Sequence, residues 1–143
     1  MIEIITNLWI GDYNDSKNIT ELNKHNINVI INCTKNLPHN KSKFKFIRIP
    51  IDKLSTYPEK NKFILNSLNK LLPIIHEHIN SFSGVLLFCD DMTISATYLI
   101  CYFIYYLKTS SDKIIKFLNY KNNTIKYTEY LSCVKSFENI VLS

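Results

Sequence analysis

The chain has 143 residues, of which 46% are hydrophobic and 20% are charged, with only two glycines and four prolines. This composition excludes a disordered or low-complexity chain, and the length suits a single domain, which we expect to span residues 1–143. The net charge of +5 is carried almost entirely by lysine, since Arg48 is the only arginine. A lysine-rich solvated surface explains this charge, so nucleic acid is not an expected partner.

The cysteines and histidines form no metal-binding pattern. The four cysteines are widely spaced and contain no CxxC pair. The histidines are equally scattered, at His25, His39, His76 and His78. We therefore predict no metal and no cofactor, and we expect reduced thiols in a cytoplasmic compartment.

The sequence predicts no membrane association. The first seven residues lack the basic region and the long apolar region of a secretion signal. The apolar stretch Ile94–Leu107 is too short to span a bilayer and is typical of a buried core helix.

The first part of the chain predicts strands with one helix between them. Ser16 is suited to cap a helix over Lys17–His25, and Gly11 indicates a turn before it. Apolar runs indicate four strands, at Ile2–Ile5, Leu8–Ile10, Val29–Cys33 and Phe44–Ile51. Three alternating lysines would share one face of an extended segment: Lys41, Lys43 and Lys45.

Helices dominate the second part. Pro58 is well placed at the start of a long helix with apolar residues at helical spacing, and Pro73 should kink or interrupt that helix. A buried strand is predicted at Val85–Cys89. Three helices follow, over Ile94–Leu107, Asp112–Tyr120 and Tyr127–Val141. Strands mixed with helices in this way predict an α/β fold with a central mixed sheet flanked by helices.

The most informative stretch joins the strand at Val85–Cys89 to the next helix. The apolar run ends at Cys89, and a short loop beginning with Asp90 and Asp91 follows. The N-terminus of a helix can hold an anion and can lower the pKa of a thiol. Cys89 is therefore a candidate nucleophile.

This stretch resembles the signature of cysteine-dependent dual-specificity phosphatases, His-Cys-x-x-Gly-x-x-Arg-Ser/Thr, with Cys89 at the position of the nucleophile. Three earlier segments resemble the family in the same order. Leu8–Tyr13 is similar to its LYLG opening, Ile27–Thr34 to its ITHVLNVT strand, and Phe46–Asp52 to its YKRIPIxD segment. The chain is thus identified as a compact member of the family, of the kind found in cells and in large DNA viruses such as poxviruses. The resemblance implies the dual-specificity-phosphatase fold.

The resemblance also implies which catalytic groups are replaced. In the family a thiolate attacks phosphorus, loop amides and an arginine hold the phosphate oxygens, and an aspartic acid protonates the leaving group. Here Phe88 replaces the histidine, Met92 the glycine, Ser95 the arginine and Ala96 the hydroxyl residue. The degenerate phosphate loop comprises Asp90, Asp91, Met92, Thr93, Ile94 and Ser95. A serine cannot make the charged bidentate contact of an arginine, and the two aspartates disfavour both a thiolate and a bound phosphate.

The general acid of the family is also displaced. It is expected about three residues after Pro50, where this chain has Lys53. Asp52 lies one position early, so it is a candidate general acid only if its loop shifts, and otherwise a solvated carboxylate. Arg48 matches a residue in the preceding strand and is a poor substitute for the missing arginine.

We therefore predict a catalytically inactive pseudophosphatase that modulates phospho-signalling through protein–protein binding in the cytoplasm, which for a viral protein would be that of the host cell, or in the virion. The expected partner is a phosphoprotein, a kinase or an active phosphatase. Two alternatives stay open. The retained Cys89 would suit a weak or unusual cysteine-dependent phosphatase, and the aromatic run over Tyr102–Tyr106 would suit a structural homodimer or a virion component.

Overall fold

The computed structural model describes residues 1–39, 44–123, 125, 127 and 129–143. Its strands are β1 (Ile2–Ile5), β2 (Leu8–Gly11), β3 (Ile27–Asn32), β4 (Lys45–Arg48) and β5 (Gly84–Phe88). Its helices are α1 (Tyr13–Lys17), α2 (Ile19–Lys24), α3 (Tyr57–Asn80), α4 (Met92–Leu107), α5 (Ser111–Lys121) and α6 (Leu131–Leu142). Of the three alternating lysines, Lys41 and Lys43 lie outside the described residues, and Lys45 begins β4.

The described strands form one sheet in the order β1-β2-β5-β3-β4, in which β1 is antiparallel to β2 and the other pairs are parallel. Strand β5 lies in the centre, and all five of its residues are buried. Strands buried on both faces need a near-continuous apolar sequence, which explains the run Val85–Phe88. The predicted α/β fold with a central mixed sheet flanked by helices is confirmed.

Each face of the sheet has its own hydrophobic core. Side chains alternate along a strand, so Val85 and Leu87 face the larger core together with Cys89, while Leu86 and Phe88 face the smaller core. Helices α3 to α6 fill the larger core, and α1 and α2 cover the smaller one. The side chain of Cys89 therefore belongs to the helix-rich face.

Helix α4 is buried along most of its length, with every residue from Thr93 to Ile104 buried. It contacts α3, α5 and α6 as well as β2 and β5. The expectation of a buried core helix over Ile94–Leu107 is confirmed as far as Ile104, whereas Tyr105 and Leu107 in the last turn are exposed. In the described parts of the chain, no helix is long and apolar enough to cross a membrane.

The prediction of one helix over Lys17–His25 capped by Ser16 is wrong. The structure has two short helices here, and Ser16 lies buried inside α1. Asp12 caps α1 by accepting a hydrogen bond from the Asp15 amide at 2.9 Å, and Asn18 caps α2. Because side-chain caps of this kind begin a helix, two of them in close succession divide one periodic pattern into two helices.

Other predicted boundaries also change. Gly11 ends β2 rather than forming a turn. Strand β4 is shorter than the predicted strand, and α6 begins at Leu131 rather than at Tyr127. Helix α3 continues through Pro73 without interruption. Pro73 is exposed, so water can bind the carbonyl group that a proline leaves unpaired within a helix.

We predict that Gly84→Ala destabilises the fold. A Cβ atom on Gly84 would lie 2.7 Å from the carbonyl oxygen of Asn26 and 3.0 Å from Cα of Ile27. Because these are backbone atoms beside the central strand, overpacking should lower the free energy of unfolding by about 1–3 kcal/mol. Urea denaturation measures the difference. The control is Lys53→Ala, at an exposed residue, which should change the free energy of unfolding by at most about 0.5 kcal/mol. Equal effects of the two substitutions would contradict this account.

Candidate active site

Cys89 lies where the sequence predicts it, between the end of β5 and the start of α4. Its side chain is buried in the larger core, with 2% of the residue exposed. Asp90 and Asp91 follow as exposed residues. The structure thus presents a sequestered thiol beneath a loop whose first two side chains are carboxylates.

Asp91 caps the N-terminus of α4. Its carboxylate Oδ1 accepts a hydrogen bond from the Thr93 amide at 2.9 Å, and its carbonyl oxygen accepts one from the Ile94 amide at 3.1 Å. The amides at a helix N-terminus are the groups that bind an external anion. In this loop a side chain of the protein already supplies the negative charge at that position.

The carboxylates of the loop have no cationic partner. Among the residues that the structure describes, neither Asp90 nor Asp91 forms an ion pair. The nearby ring of Tyr57 contacts that of Tyr130, with centroids 5.5 Å apart, and the Tyr57 hydroxyl donates to the Glu129 carboxylate. Burial raises the pKa of Tyr130, and the neighbouring acidic groups, Asp91 among them, raise it further. The surroundings of the loop are therefore acidic.

Ser95, at the position of the family's arginine, is a core residue. It is fully buried, and its hydroxyl has no hydrogen-bond partner in the described parts of the structure. The hydroxyl of Thr93 is also buried without a hydrogen-bond partner among the described residues. Met92, at the position of the glycine, is half-buried and packs against the larger core. Ser95 and Met92 thus fill space beside the helix, and the loop from Asp90 to Ser95 contains no positively charged side chain to hold a phosphate.

Phe88 occupies the position of the family's histidine but faces away from Cys89. It is buried in the smaller core, and its ring lies 6.3 Å from that of Tyr13 on α1. Its role is to join the central strand to the helices of that face.

Sequence reasoning missed the proximity of Cys33 to Cys89. Strands β3 and β5 pair in parallel with Asn32 opposite Phe88, and the Cys33 amide donates to the Phe88 carbonyl at 2.8 Å. Both thiols face the larger core. Burial raises the pKa of Cys33 well above its usual value, and the adjacent Cys89 adds to the rise. The parallel alignment of the two predicted strands, each ending in cysteine, is the signal that could have revealed this pair.

Asp52 is held in an arrangement unsuited to a general acid. Its carboxylate accepts a hydrogen bond from the Leu54 amide at 2.9 Å and forms an ion pair with Lys35 at 3.4 Å. The hydrogen bond from Leu54, and to a lesser degree the charges of Lys35 and Lys60, hold the pKa of Asp52 below its usual value. Asp52 is therefore harder to protonate than an ordinary aspartate, whereas a general acid must carry a proton.

Arg48 cannot serve as the missing arginine because its guanidinium is engaged elsewhere. It donates hydrogen bonds to the carbonyl groups of Thr34, Lys35 and Leu37 at 3.0, 3.3 and 2.8 Å. The side-chain amide of Asn32 also donates to Leu37, at 2.9 Å. Arg48 thus fixes the loop that follows β3.

The histidines take part in local packing. His76 stacks on Tyr106 with ring centroids 3.8 Å apart, and His25 lies 4.4 Å from the ring of Trp9. Over the described residues, no group of three or more His, Cys, Asp or Glu side chains is placed to hold a metal ion.

Comparison with known families assigns the chain. The model of the dual specificity phosphatase catalytic domain matches residues 8–140. The chain therefore belongs to the dual specificity phosphatase family, and the resemblance described above is confirmed. No curated protein matches the sequence significantly.

Solved structures share the fold at low sequence identity. Human DUSP28 superposes with a TM-score of 0.85 and 12% identity, covering 99% of this chain and 95% of that chain. The human tyrosine phosphatase-like serine/threonine/tyrosine-interacting protein superposes with a TM-score of 0.82 and 17% identity, covering 100% of this chain and 98% of that chain. A leucine rich repeat and phosphatase domain containing protein from Entamoeba histolytica superposes with a TM-score of 0.77 and 16% identity, covering 97% of this chain and 90% of that chain.

The cap at Asp91 leads to a stability prediction. Asp91→Ala removes the acceptor for the Thr93 amide and should lower the free energy of unfolding by about 1 kcal/mol, whereas Asp91→Asn keeps an acceptor and should change it less. Asp90→Ala is the matched control, because an exposed residue without such a bond should change stability by at most about 0.5 kcal/mol. Thermal and urea unfolding test the series. An Asp91→Ala protein as stable as the Asp90→Ala protein would disprove the cap.

The buried hydroxyl of Ser95 leads to a prediction of opposite sign. Ser95→Ala removes a buried polar atom without a partner and should raise the free energy of unfolding by about 1 kcal/mol. Thr97→Val is the matched control, because the Thr97 hydroxyl donates to the Thr93 carbonyl at 2.7 Å and its loss should destabilise the protein. Urea unfolding of the three proteins measures both effects, and a destabilised Ser95→Ala protein would contradict the expectation.

Proposed function

We propose that this protein is a pseudophosphatase, a member of the dual specificity phosphatase family that does not hydrolyse phosphate esters and acts by binding other proteins. The observation that carries this proposal is the start of α4, where Asp91 occupies the helix N-terminus and a buried Ser95 stands in place of the arginine. The site that would hold a phosphate dianion has an internal anion, and no lysine or arginine among the described residues forms an ion pair with it.

The charge balance opposes substrate binding. Two carboxylates at the mouth of the loop repel a dianion at short range, and no lysine or arginine in the described structure is paired with them. Loss of a charged clamp on a transferring phosphoryl group reduces rates by about 10³–10⁵ in related systems. The hydrogen bond from Leu54 and the ion pair with Lys35 also make Asp52 harder to protonate, which opposes its use as a proton donor.

The partners that this proposal names are a phosphoprotein, a kinase or an active phosphatase, met in the cytoplasm or, for a viral protein, in the host cytoplasm or virion. One structural neighbour is named as a phosphatase-like interacting protein, a description of binding that the proposal carries over to this chain.

Hydrolysis of a small aryl phosphate tests the proposal. We expect the wild-type protein and Cys89→Ser to give the same rate from acidic to neutral pH, because the chemistry of the loop is missing. Circular dichroism and thermal unfolding establish that both proteins are folded. A residual rate common to both comes from a contaminant, whereas a rate that disappears in Cys89→Ser would refute the proposal.

Two alternatives have an observation in their favour. The retained thiol at the strand–helix junction would suit a weak or unusual cysteine-dependent phosphatase, and a phosphate trapped covalently on Cys89 would establish it. The aromatic run on α4 would suit a structural homodimer or a virion component, although of its residues Tyr102 and Phe103 are buried and Tyr105 is 44% exposed. Sedimentation at high concentration tests the homodimer.

A further inference from the structure

An apolar groove lies at the end of the molecule opposite to Cys89. It forms where β1 turns into β2 and where α3 and α4 end. Two adjoining cavities, of about 480 and 220 Å³, share Ile5, Phe103 and Leu107 as lining residues. One wall is held rigidly, because His76 stacks on Tyr106 at 3.8 Å.

Three large apolar side chains are exposed along this groove. Phe82 is 80% exposed, Leu107 62% and Phe117 40%. Phe82 lines the larger cavity, Phe117 the smaller one, and Leu107 both. Single exposed apolar residues are ordinary on protein surfaces, but a continuous row around a concavity is typical of a binding site.

Phe82 has a backbone conformation that packing does not explain. Its φ is 58°, in the left-handed region, and it follows α3 at a position where glycine or asparagine is usual. The Ser83 amide donates to the His78 carbonyl at 3.0 Å, and the Asn26 side chain donates to the Phe82 carbonyl at 3.2 Å. These bonds hold an aromatic ring outward in a conformation that costs free energy for any residue with a side chain.

The charge around the groove is positive on one side and neutral on the other. Lys113 lines the smaller cavity, and Lys121 Nζ lies 5.8 Å from the centre of the Phe117 ring. Lys108 lines neither cavity, because its ammonium lies 4.5 Å from the Tyr105 ring. No Asp or Glu is among the residues that line either cavity in the described structure, and Asp112 is turned to an ion pair with Lys135 at 3.3 Å. The lining of the larger cavity is uncharged apart from His76.

We infer that this groove binds a short amphipathic segment of another protein, one that inserts apolar side chains into the two cavities and places acidic side chains against Lys113 and Lys121 of α5. A second copy of the chain fits poorly, because a two-fold contact would bring these lysines together in a protein of net charge +5. A lipid surface fits poorly because the site is concave. The inference extends the protein-binding part of the proposed function.

The experiment uses a displayed library of random peptides. Peptides that bind the double variant Phe82→Gly/Leu107→Ser are removed first, and the remaining peptides are selected for binding to the wild-type protein. Both substitutions replace exposed side chains, and glycine suits the left-handed position, so the double variant should remain folded. We expect enriched peptides that combine aromatic or aliphatic residues with Asp or Glu. Fluorescence anisotropy then compares the best peptide with its Asp/Glu→Lys counterpart on each protein variant.

The expected affinities follow from the contacts. Phe82→Gly, Leu107→Ser and Lys113→Glu should each weaken binding about tenfold or more, as for anchor residues of an interface, and high salt should weaken it too. Ile140→Ser, at an exposed apolar residue of α6 outside the groove, should leave binding unchanged. Absence of enrichment, equal affinity for the charge-reversed peptide, or indifference to the groove variants would overturn the inference.

Two further outcomes would assign the groove to another occupant and overturn the inference. One is a dimer in sedimentation that Leu107→Ser dissociates. The other is binding of phosphatidylserine vesicles by the wild-type protein and not by that variant. Because none of these measurements involves hydrolysis, the groove and the proposed loss of phosphatase activity can fail independently.

Discussion

The structure depends on how the central strand β5 passes into α4. All five residues of β5 are buried, and the strand is hydrogen-bonded to β2 on one side and to β3 on the other. The chain must then leave the sheet and enter a helix that is itself buried from Thr93 to Ile104. A buried helix cannot begin with unpaired amides, so the loop between the two elements needs a cap. Asp91 supplies it.

The same requirement supports the proposed pseudophosphatase function, because it gives the loop a way to keep its shape without a bound anion. An anion-binding loop directs its amides at a ligand, and those amides have no partner when the ligand is absent. The Asp91 carboxylate within the loop satisfies one of them, the amide of Thr93, without a ligand. In the proposed function, the residue that caps α4 is also the residue that opposes phosphate binding. Cys89 packs as a small, apolar-compatible side chain in the larger core, to which Cys33 also belongs.

Much of the fold follows from local patterns, because long apolar runs leave few alternatives. The run Val85–Cys89 and the apolar stretch Ile94–Leu107 could only be a buried strand and a buried helix. Short polar segments were harder to predict. Ser16 and Asn18 are both good caps by type, and which one begins a helix depends on its side-chain contacts and on its neighbours in space.

The candidate site was predictable in position but not in its contacts. The order of motifs along the chain located Cys89 and the replaced residues around it. The engagement of Arg48 with three carbonyl groups of the loop after β3, and the contact of Asp52 with Lys35, depend on how separate segments meet. The spacing of residues along the sequence carries no information about such tertiary contacts. The adjacency of Cys33 and Cys89 was easier to predict than these contacts, since it requires only the pairing register of two strands.

The position of Phe88 bears on whether the family's catalytic signature could be built into this chain. A histidine there would have to be accommodated in the apolar layer beneath α1, next to Tyr13, in place of a ring that fills it. An arginine at Ser95 would likewise have to leave a fully buried site. Introducing either residue alone should therefore reduce stability, so converting this loop to the family signature requires compensating changes in the neighbouring core.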